Sequence, residues 1–436
     1  MNEAKSSGYR RRRRRTAVLR AGVWAALLAA LAGSGLSRTL AEVAARAAAL
    51  APVPDLLQAS LVVAGYAFVV SLAGRAIDLP LAWYGEFVLD RRFGVSRRHA
   101  GDWLCGYAGA TVLRVAAWTA GAVLVYAAMR GWPASWWLAA SLAAAVLTVA
   151  ATHLAPLVLP WLYHLRPLER PALRRRLEAL VRRAGAAAIG IHEWRLGSDP
   201  PRPNAALVGI GSTRRVLLTD ALLADYSDDE IEVVVAHELA HHVHRDVWKT
   251  MAYETLAAAV ACGAAQWALR SLGPWLGLAG IADVAGLPIA VLAGGAALLL
   301  LAPVTNLMSR RLERRADRYA VDLTGKPEAL ASGLRRLAAQ SLAEERPSRV
   351  TAWLSYSHPP WSDRLVAAGA AAAVSPGASP ARGRRGGAAG GSGIGRADRS
   401  GRPPWPCRRR RRRRAHPRAP AAGPCGSAGP CRTDPR

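Results

Sequence analysis

The sequence predicts a mainly α protein: a polytopic helical membrane chain of about six spans that also carries a soluble-type domain with a small antiparallel sheet. Three observations predict it. Of 436 residues, 52% are hydrophobic and the mean hydropathy is positive at +0.10, above the roughly 45–50% of ordinary globular domains. Several uncharged stretches reach the roughly twenty residues needed to cross a hydrocarbon core about 30 Å thick. Between two of them, residues 167–249 switch to amphipathic and alternating patterns that belong in water. Collagen, coiled coil and disorder of the whole chain are excluded.

The spans fall near Ala17–Leu36, Leu56–Gly74, Tyr107–Met129, Ala134–Leu157, Met251–Leu269 and Val284–Leu307. The fourth and sixth are the clearest, because no Asp, Glu, Lys or Arg occurs between Gly131 and Tyr163 or between Val284 and Ser309. The first, third and fifth carry Arg20, Arg114 and Glu254.

The net charge of +28 suggests a nucleic-acid binder until it is located. Residues 382–436 hold sixteen Arg against Asp398 and Asp434, a net +14. Residues 1–20 hold Lys5, Arg10 to Arg15 and Arg20 against Glu3, a net +7. The body between these ends is nearly balanced, which argues against a nucleic-acid partner and for a bilayer. Basic residues are retained on the cytoplasmic side of short loops. Six crossings place 91–98, 166–215 and 310–318 on the same side as Arg10–Arg15. Both termini and the soluble-type segment are therefore expected in the cytoplasm, with a bacterial inner (plasma) membrane suggested by the Ala, Arg and Gly bias. The first span reads as retained rather than as a cleaved signal.

The expected organisation is a basic N-terminal tail (1–16), a membrane domain of four spans (17–162), a domain at 163–369 interrupted by a two-span hairpin at about 251–307, and a tail at 370–436. That tail is Ala, Gly, Pro and Arg, too poor in apolar periodicity to fold. Within the domain, Leu168–Ala184 reads as an Arg-rich amphipathic helix and Trp194–Asp220 as strand and turn. Asp228–Asp246 reads as a helix whose first turn, Asp228, Asp229 and Glu230, follows the N-cap Ser227. Cys105 and Cys262 read as buried, inert thiols, Cys407, Cys425 and Cys431 fall in the tail, and no CxxC pair exists.

The residues that carry chemistry are His237-Glu238-Leu239-Ala240-His241. On a helix, His237 and His241 project from one face and can place two imidazoles on one Zn²⁺, with Glu238 beside them to work on the metal's water. A catalytic zinc needs a third protein ligand and an open position. Glu313, on the helix after the sixth span, supplies the ligand, and Asp317 one turn later supplies a carboxylate to hold a ligand imidazole's N–H. An exposed helix with i, i+4 charge pairing is the competing reading of 310–317. Topology separates them, because an out-and-back hairpin returns Glu313 to the side of His237. His242 and His244 face away from the ligand pair, and Asp246 is given no catalytic part.

Several blocks then resemble, in order, the integral-membrane zinc endopeptidases typified by the type I CAAX prenyl protease, with HtpX-like proteases as relatives. They are Leu79-Pro80 with 87–94, 203–209 with 215–220, His237–His241, Glu313–Asp317, and Ser357-His358-Pro359-Pro360 with Arg364. The resemblance covers about 79–365. It implies a zinc peptidase of the His-Glu-x-x-His, gluzincin type, whose helices enclose a hydrophilic chamber. His237, His241 and Glu313 would be ligands and Glu238 the general base. His358 and Arg364 would meet the oxyanion or substrate, and Asn204 and Ala205 would form the edge strand on which substrate lies. His242 after the motif, and six spans where seven are usual, depart from the eukaryotic pattern. The expected partner is a polypeptide, lipidated or membrane-associated. The competing class, a vestigial membrane scaffold whose Arg runs bind anionic lipid or RNA, has against it an intact Glu238 and no aromatic residues interleaved with the runs.

Overall fold

The computed structural model describes residues 3–162, 164–186, 190–195, 203–209, 213–342, 344 and 347–374. All of them belong to one compact unit, Met1–Ser379. The elements run α1 (Glu3–Gly33), α2 (Leu36–Ala49), α3 (Asp55–Ala82), a π-helical turn (Trp83–Val88), α4 (Leu89–Arg92), α5 (Ala100–Gly131) and α6 (Trp136–Leu162). Then follow β1 (His164–Pro167), α7 (Pro171–Arg183), β2 (Gly190–Arg195), β3 (Ala205–Val208), β4 (Arg215–Thr219), α8 (Asp220–Asp225) and α9 (Asp228–Val243). The chain ends with α10 (Asp246–Leu272), a 3₁₀ turn (Val284–Gly286), α11 (Leu287–Thr324), α12 (Pro327–Gln340), α13 (Arg349–Ser355) and α14 (Trp361–Val374).

Five helical stretches among the described residues are long and apolar enough to cross a membrane: Lys5–Gly33, Leu57–Arg92, Ala100–Gly131, Trp136–Ala155 and Val284–Thr324. They coincide with five of the six expected spans. The remaining one, expected at 251–269, is α10, a 27-residue helix whose Lys249, Glu254 and Gln266 lower its hydropathy. Many large apolar side chains on α5, α6 and α11 face outward, among them Val112, Leu142 and Leu300, as lipid-facing helix surfaces do. Cys105 is exposed rather than buried, because it lies on the outer surface of α5.

Two regions differ from expectation. The basic segment before residue 17 is not a separate tail: from Glu3 it forms the first turns of α1, with Tyr9 buried and its hydroxyl donating to Asp90 Oδ1 at 2.7 Å. The segment between the first two expected spans contains α2, whose Leu40, Ala41 and Ala44 pack inward while Glu42 and Arg46 stay exposed. Pro80 in α3 has no N–H to bond back to Ala76, and the π-helical turn follows it.

The sheet has the order β1-β2-β4-β3. Antiparallel pairing holds for β1 with β2 and for β3 with β4, but β2 and β4 are parallel, so the sheet is mixed rather than antiparallel throughout. Burial explains the order. Val216, Leu217 and Leu218 of β4 are completely buried and need a neighbour on each side, whereas the half-exposed β3 suits an edge. This sheet, α7, α9 and α12 close over one core built on Leu173, Leu177, Leu218, Ile231, Val235 and Leu334. A second core joins α1, α3, α5, α6, α10 and α11 through Tyr66, Tyr126, Trp136 and Leu269.

The α10–α11 pair positions the site. At 1.5 Å per residue, the 27 residues of α10 run about 40 Å, and Glu313 lies about 39 Å along α11 from Leu287. The hairpin therefore returns Glu313 to the level of α9. Gly294 lets the two helices approach, since a Cβ there would lie 3.2 Å from the Ala261 carbonyl oxygen.

Candidate metal centre

Helix α9 starts on a capping box: the Glu230 N–H donates to Ser227 Oγ at 3.3 Å, and the Ser227 N–H donates to Glu230 Oε2 at 2.8 Å. Ile231, Val235 and Leu239, with Ala236 and Ala240, bury one side of the helix in the core. That burial fixes the helix rotation and turns His237, Glu238 and His241 into a cavity of about 720 Å³.

Glu313, on α11, faces them. Its carboxylate oxygens lie 3.5 Å from His237 Nε2 and 3.7 Å from His241 Nε2. One donor atom from each of the three residues falls within 4.8 Å of the other two. Donors held about 2.0–2.1 Å from a tetrahedral zinc stand about 3.4 Å apart, so this set fits the ion. The other imidazole nitrogens face carboxylates. His237 Nδ1 lies 2.9 Å from Asp317 Oδ1, and His241 Nδ1 lies 3.1 Å from Asp246 Oδ2. These contacts leave both Nε2 atoms toward the centre of the cluster.

Arg364, on α14, is 9% exposed and donates from Nε and Nη2 to the two oxygens of Asp317 at 2.8 and 2.6 Å. Burial lowers its pKa, but Asp317, Glu313 and Glu238 outweigh that and raise it. Burial likewise opposes protonation of His237, yet its contacts with Asp317 and Glu313 lift its pKa to about 9. Protons and a cation compete for those same nitrogens. The Glu238 carboxyl is pushed up by burial, partly offset by His237, His241 and the Leu207 N–H that donates to it. A buried carboxylate with a raised pKa, beside a metal-ligand set, is suited to exchanging protons.

The remaining expected residues also lie here. His358 lines the cavity with its Nδ1 3.1 Å from Glu313 Oε2. Asn204 and Ala205 line it at the start of edge strand β3. Asn204 is held through its backbone, its N–H donating to Thr219 Oγ1 at 2.8 Å. His242 meets Arg214, and His244 meets the Tyr319 ring edge-on, both away from the ligand pair.

Further contributors were not legible in the motif. Asp246 is the carboxylate behind His241. Arg245 adopts a left-handed conformation, φ 56°, ψ 37°, which ends α9 and swings Asp246 back onto the helix it has just left. Such a backbone costs a non-glycine residue about 1–2 kcal/mol. Asp246 also accepts from Lys249 at 3.3 Å and from Arg315. Arg10 and Arg14, from the basic turns of α1, reach the cavity wall, where Arg10 donates to the Ser341 and Leu342 carbonyls and Arg14 pairs with Glu344.

Comparison with known proteins agrees with this layout. Residues 167–372 match the family model described as peptidase family M48, and residues 3–164 match the model described as CAAX prenyl protease N-terminal, five membrane helices. The Bacillus subtilis protein named "Uncharacterized metalloprotease YhfN" is 25% identical over 306 residues, covering 69% of this chain and 72% of that one. A protease HtpX homolog of Gemmatimonas aurantiaca is 31% identical over 197 residues, covering 39% of this chain and 67% of its own. The crystal structure of S. mikatae Ste24p superposes with a TM-score of 0.71 at 21% identity, covering 84% of this chain and 88% of that one, a likeness of fold.

Proposed function

The chain belongs to peptidase family M48, and on that premise we propose that it is a multi-pass membrane endopeptidase that uses one Zn²⁺ per chain and Glu238 as general base. The observation that carries this reading is the convergence of His237, His241 and Glu313 beside Glu238 in one cavity. His237 Nε2, His241 Nε2 and a Glu313 oxygen would hold the ion. When bound, zinc supplies Lewis acidity at the scissile carbonyl and lowers the pKa of a coordinated water.

The chain's own groups perform the rest. Glu238 accepts the proton from the attacking water and delivers it to the leaving amine, and its burial raises its pKa toward the range in which both transfers proceed. His358 stands at the cavity wall as the donor for the developing oxyanion. Arg364 is better described as a positioning residue, because its guanidinium is engaged with Asp317 and acts on His237 through it. An extended polypeptide adding to β3 beyond Asn204 and Ala205 would gain main-chain hydrogen bonds.

The N-terminal match to the CAAX prenyl protease model supports a lipidated substrate, and turnover of membrane-associated polypeptides is the second reading. The basic residues flanking the spans support a cytoplasmic site in a bacterial inner membrane. Wild type and Glu238→Gln should be compared on an unfolded general substrate and on a prenylated peptide. Wild type should cleave at least one of them and Glu238→Gln neither. Activity in the variant above about a tenth of wild type would require another base.

A further inference from the structure

The six consecutive arginines of α1 do not share one role. Arg10 and Arg14 face the catalytic cavity, and Arg13 turns to Tyr9 and Asp90. Arg11, Arg12 and Arg15 point elsewhere. Among the described residues these three make no ion pair. Arg15 lies three residues after Arg12 and four after Arg11, so it shares a face of the helix with each.

That face borders a second cavity of about 560 Å³, lined by Arg11, Arg12, Arg15, Leu19, Leu81 and Tyr84 among others. Its walls come from α1, the end of α3 and the π-helical turn that follows it. A Cβ at Gly85 would lie 2.9 Å from Thr16 Cγ2, so glycine there lets α1 seat against the π-helical turn. The cavity is amphiphilic along α1. Its guanidiniums sit just before the apolar stretch begins, and one turn further in Leu19, beside the outward-facing Val18, is exposed. Arg11, Arg12 and Arg15 are exposed; unpaired guanidiniums at a helix entering lipid attract an anion, and the fork geometry of arginine suits phosphate oxygens.

We propose that this cavity binds the phosphate of an anionic phospholipid, with Arg11, Arg12 and Arg15 on the headgroup and an acyl chain following Leu19 and Leu81. The apolar end selects a lipid over a free anion. Three cationic side chains with no carboxylate of their own select an anionic headgroup over a zwitterionic one, whose own cation they would repel. Basic pockets between membrane helices recognise headgroups in this way.

The test uses the full-length protein, delipidated in neutral detergent and titrated with phosphatidylglycerol or phosphatidylcholine while bound lipid is counted by native mass spectrometry. Wild type should retain phosphatidylglycerol at concentrations where phosphatidylcholine is lost. Arg11→Gln, Arg12→Gln and Arg15→Gln together should weaken that retention by at least about tenfold. Removing three exposed arginines of α7 instead, by Arg174→Gln, Arg175→Gln and Arg182→Gln, should leave it unchanged. Equal retention of the two lipids by wild type overturns the proposal whether or not the variants fold. So does equal loss in the α7 variant, and so does full displacement of phosphatidylglycerol by millimolar inorganic phosphate, which would assign the cavity to a free anion.

Discussion

Asp317 and Arg364 meet in a two-point ion pair at 2.6 and 2.8 Å that joins α11 to α14, and the same Asp317 carboxylate holds His237 Nδ1 at 2.9 Å. The proposed ligand His237 is thus braced through Asp317 by Arg364, 47 positions after Asp317 in sequence. His241 has a corresponding brace in Asp246.

Removing either brace should loosen the metal without removing a ligand. Asp317→Asn and Asp246→Asn should each weaken zinc affinity by about 10–100-fold, measured by competition with a chelator. Arg364→Met should cost stability as well, about 3–5 kcal/mol, because it leaves the buried Asp317 charge without its partner. Wild-type zinc affinity in both Asp variants would show that the carboxylates are bystanders.

Acid should weaken the soluble part of the protein through the start of α9. Burial opposes ionisation of Glu230 and Glu232, but hydrogen bonds from Ser332 and Ser227, and from Lys326 and Arg176 respectively, hold both below their ordinary 4.5. Lys326 and Arg176 likewise hold Asp229 below 3.8. Carboxyl pKa values depressed by folding contribute stability that is fully present above the unfolded values and is lost as pH falls through the folded ones. Stability should therefore be flat with respect to these groups above about pH 5 and decline below about pH 4.5. In Lys326→Met that decline should be shallower, followed by denaturant titration across pH. An unchanged slope would mean that these carboxylates are not coupled to folding.

The sequence shows the helices and the candidate ligands more readily than their supports, for identifiable reasons. His237, Glu238 and His241 are legible because the i, i+4 spacing is itself the geometry. Glu313 is legible only through topology, and the matched lengths of α10 and α11 bring it beside His237 and His241. Asp246 is hidden because its role depends on the left-handed Arg245, a backbone state that no residue type announces. The parallel β2–β4 pair is hidden because strand order follows from how deeply Val216–Leu218 is buried, which alternation cannot report. The Arg-rich N-terminus reads as a solvated tail from charge alone, yet Tyr9 and Ser6 are buried when it becomes part of α1.

The proposed sidedness has its own check. Reporter fusions after Met129 and after Leu272 should read outside, and fusions after Lys249 and after Val374 inside. The same reading on both sides of α10 would mean that this helix, the least apolar of the expected spans, does not cross.

The central claim is that His237, His241 and Glu313 form one zinc site, and elemental analysis of the purified protein tests it most directly. Wild type and Glu238→Gln should each hold about one zinc per chain, since Glu238 is not a ligand, while Glu313→Ala and the His237→Ala, His241→Ala pair should hold far less. Zinc content unchanged by loss of both histidines would contradict the account.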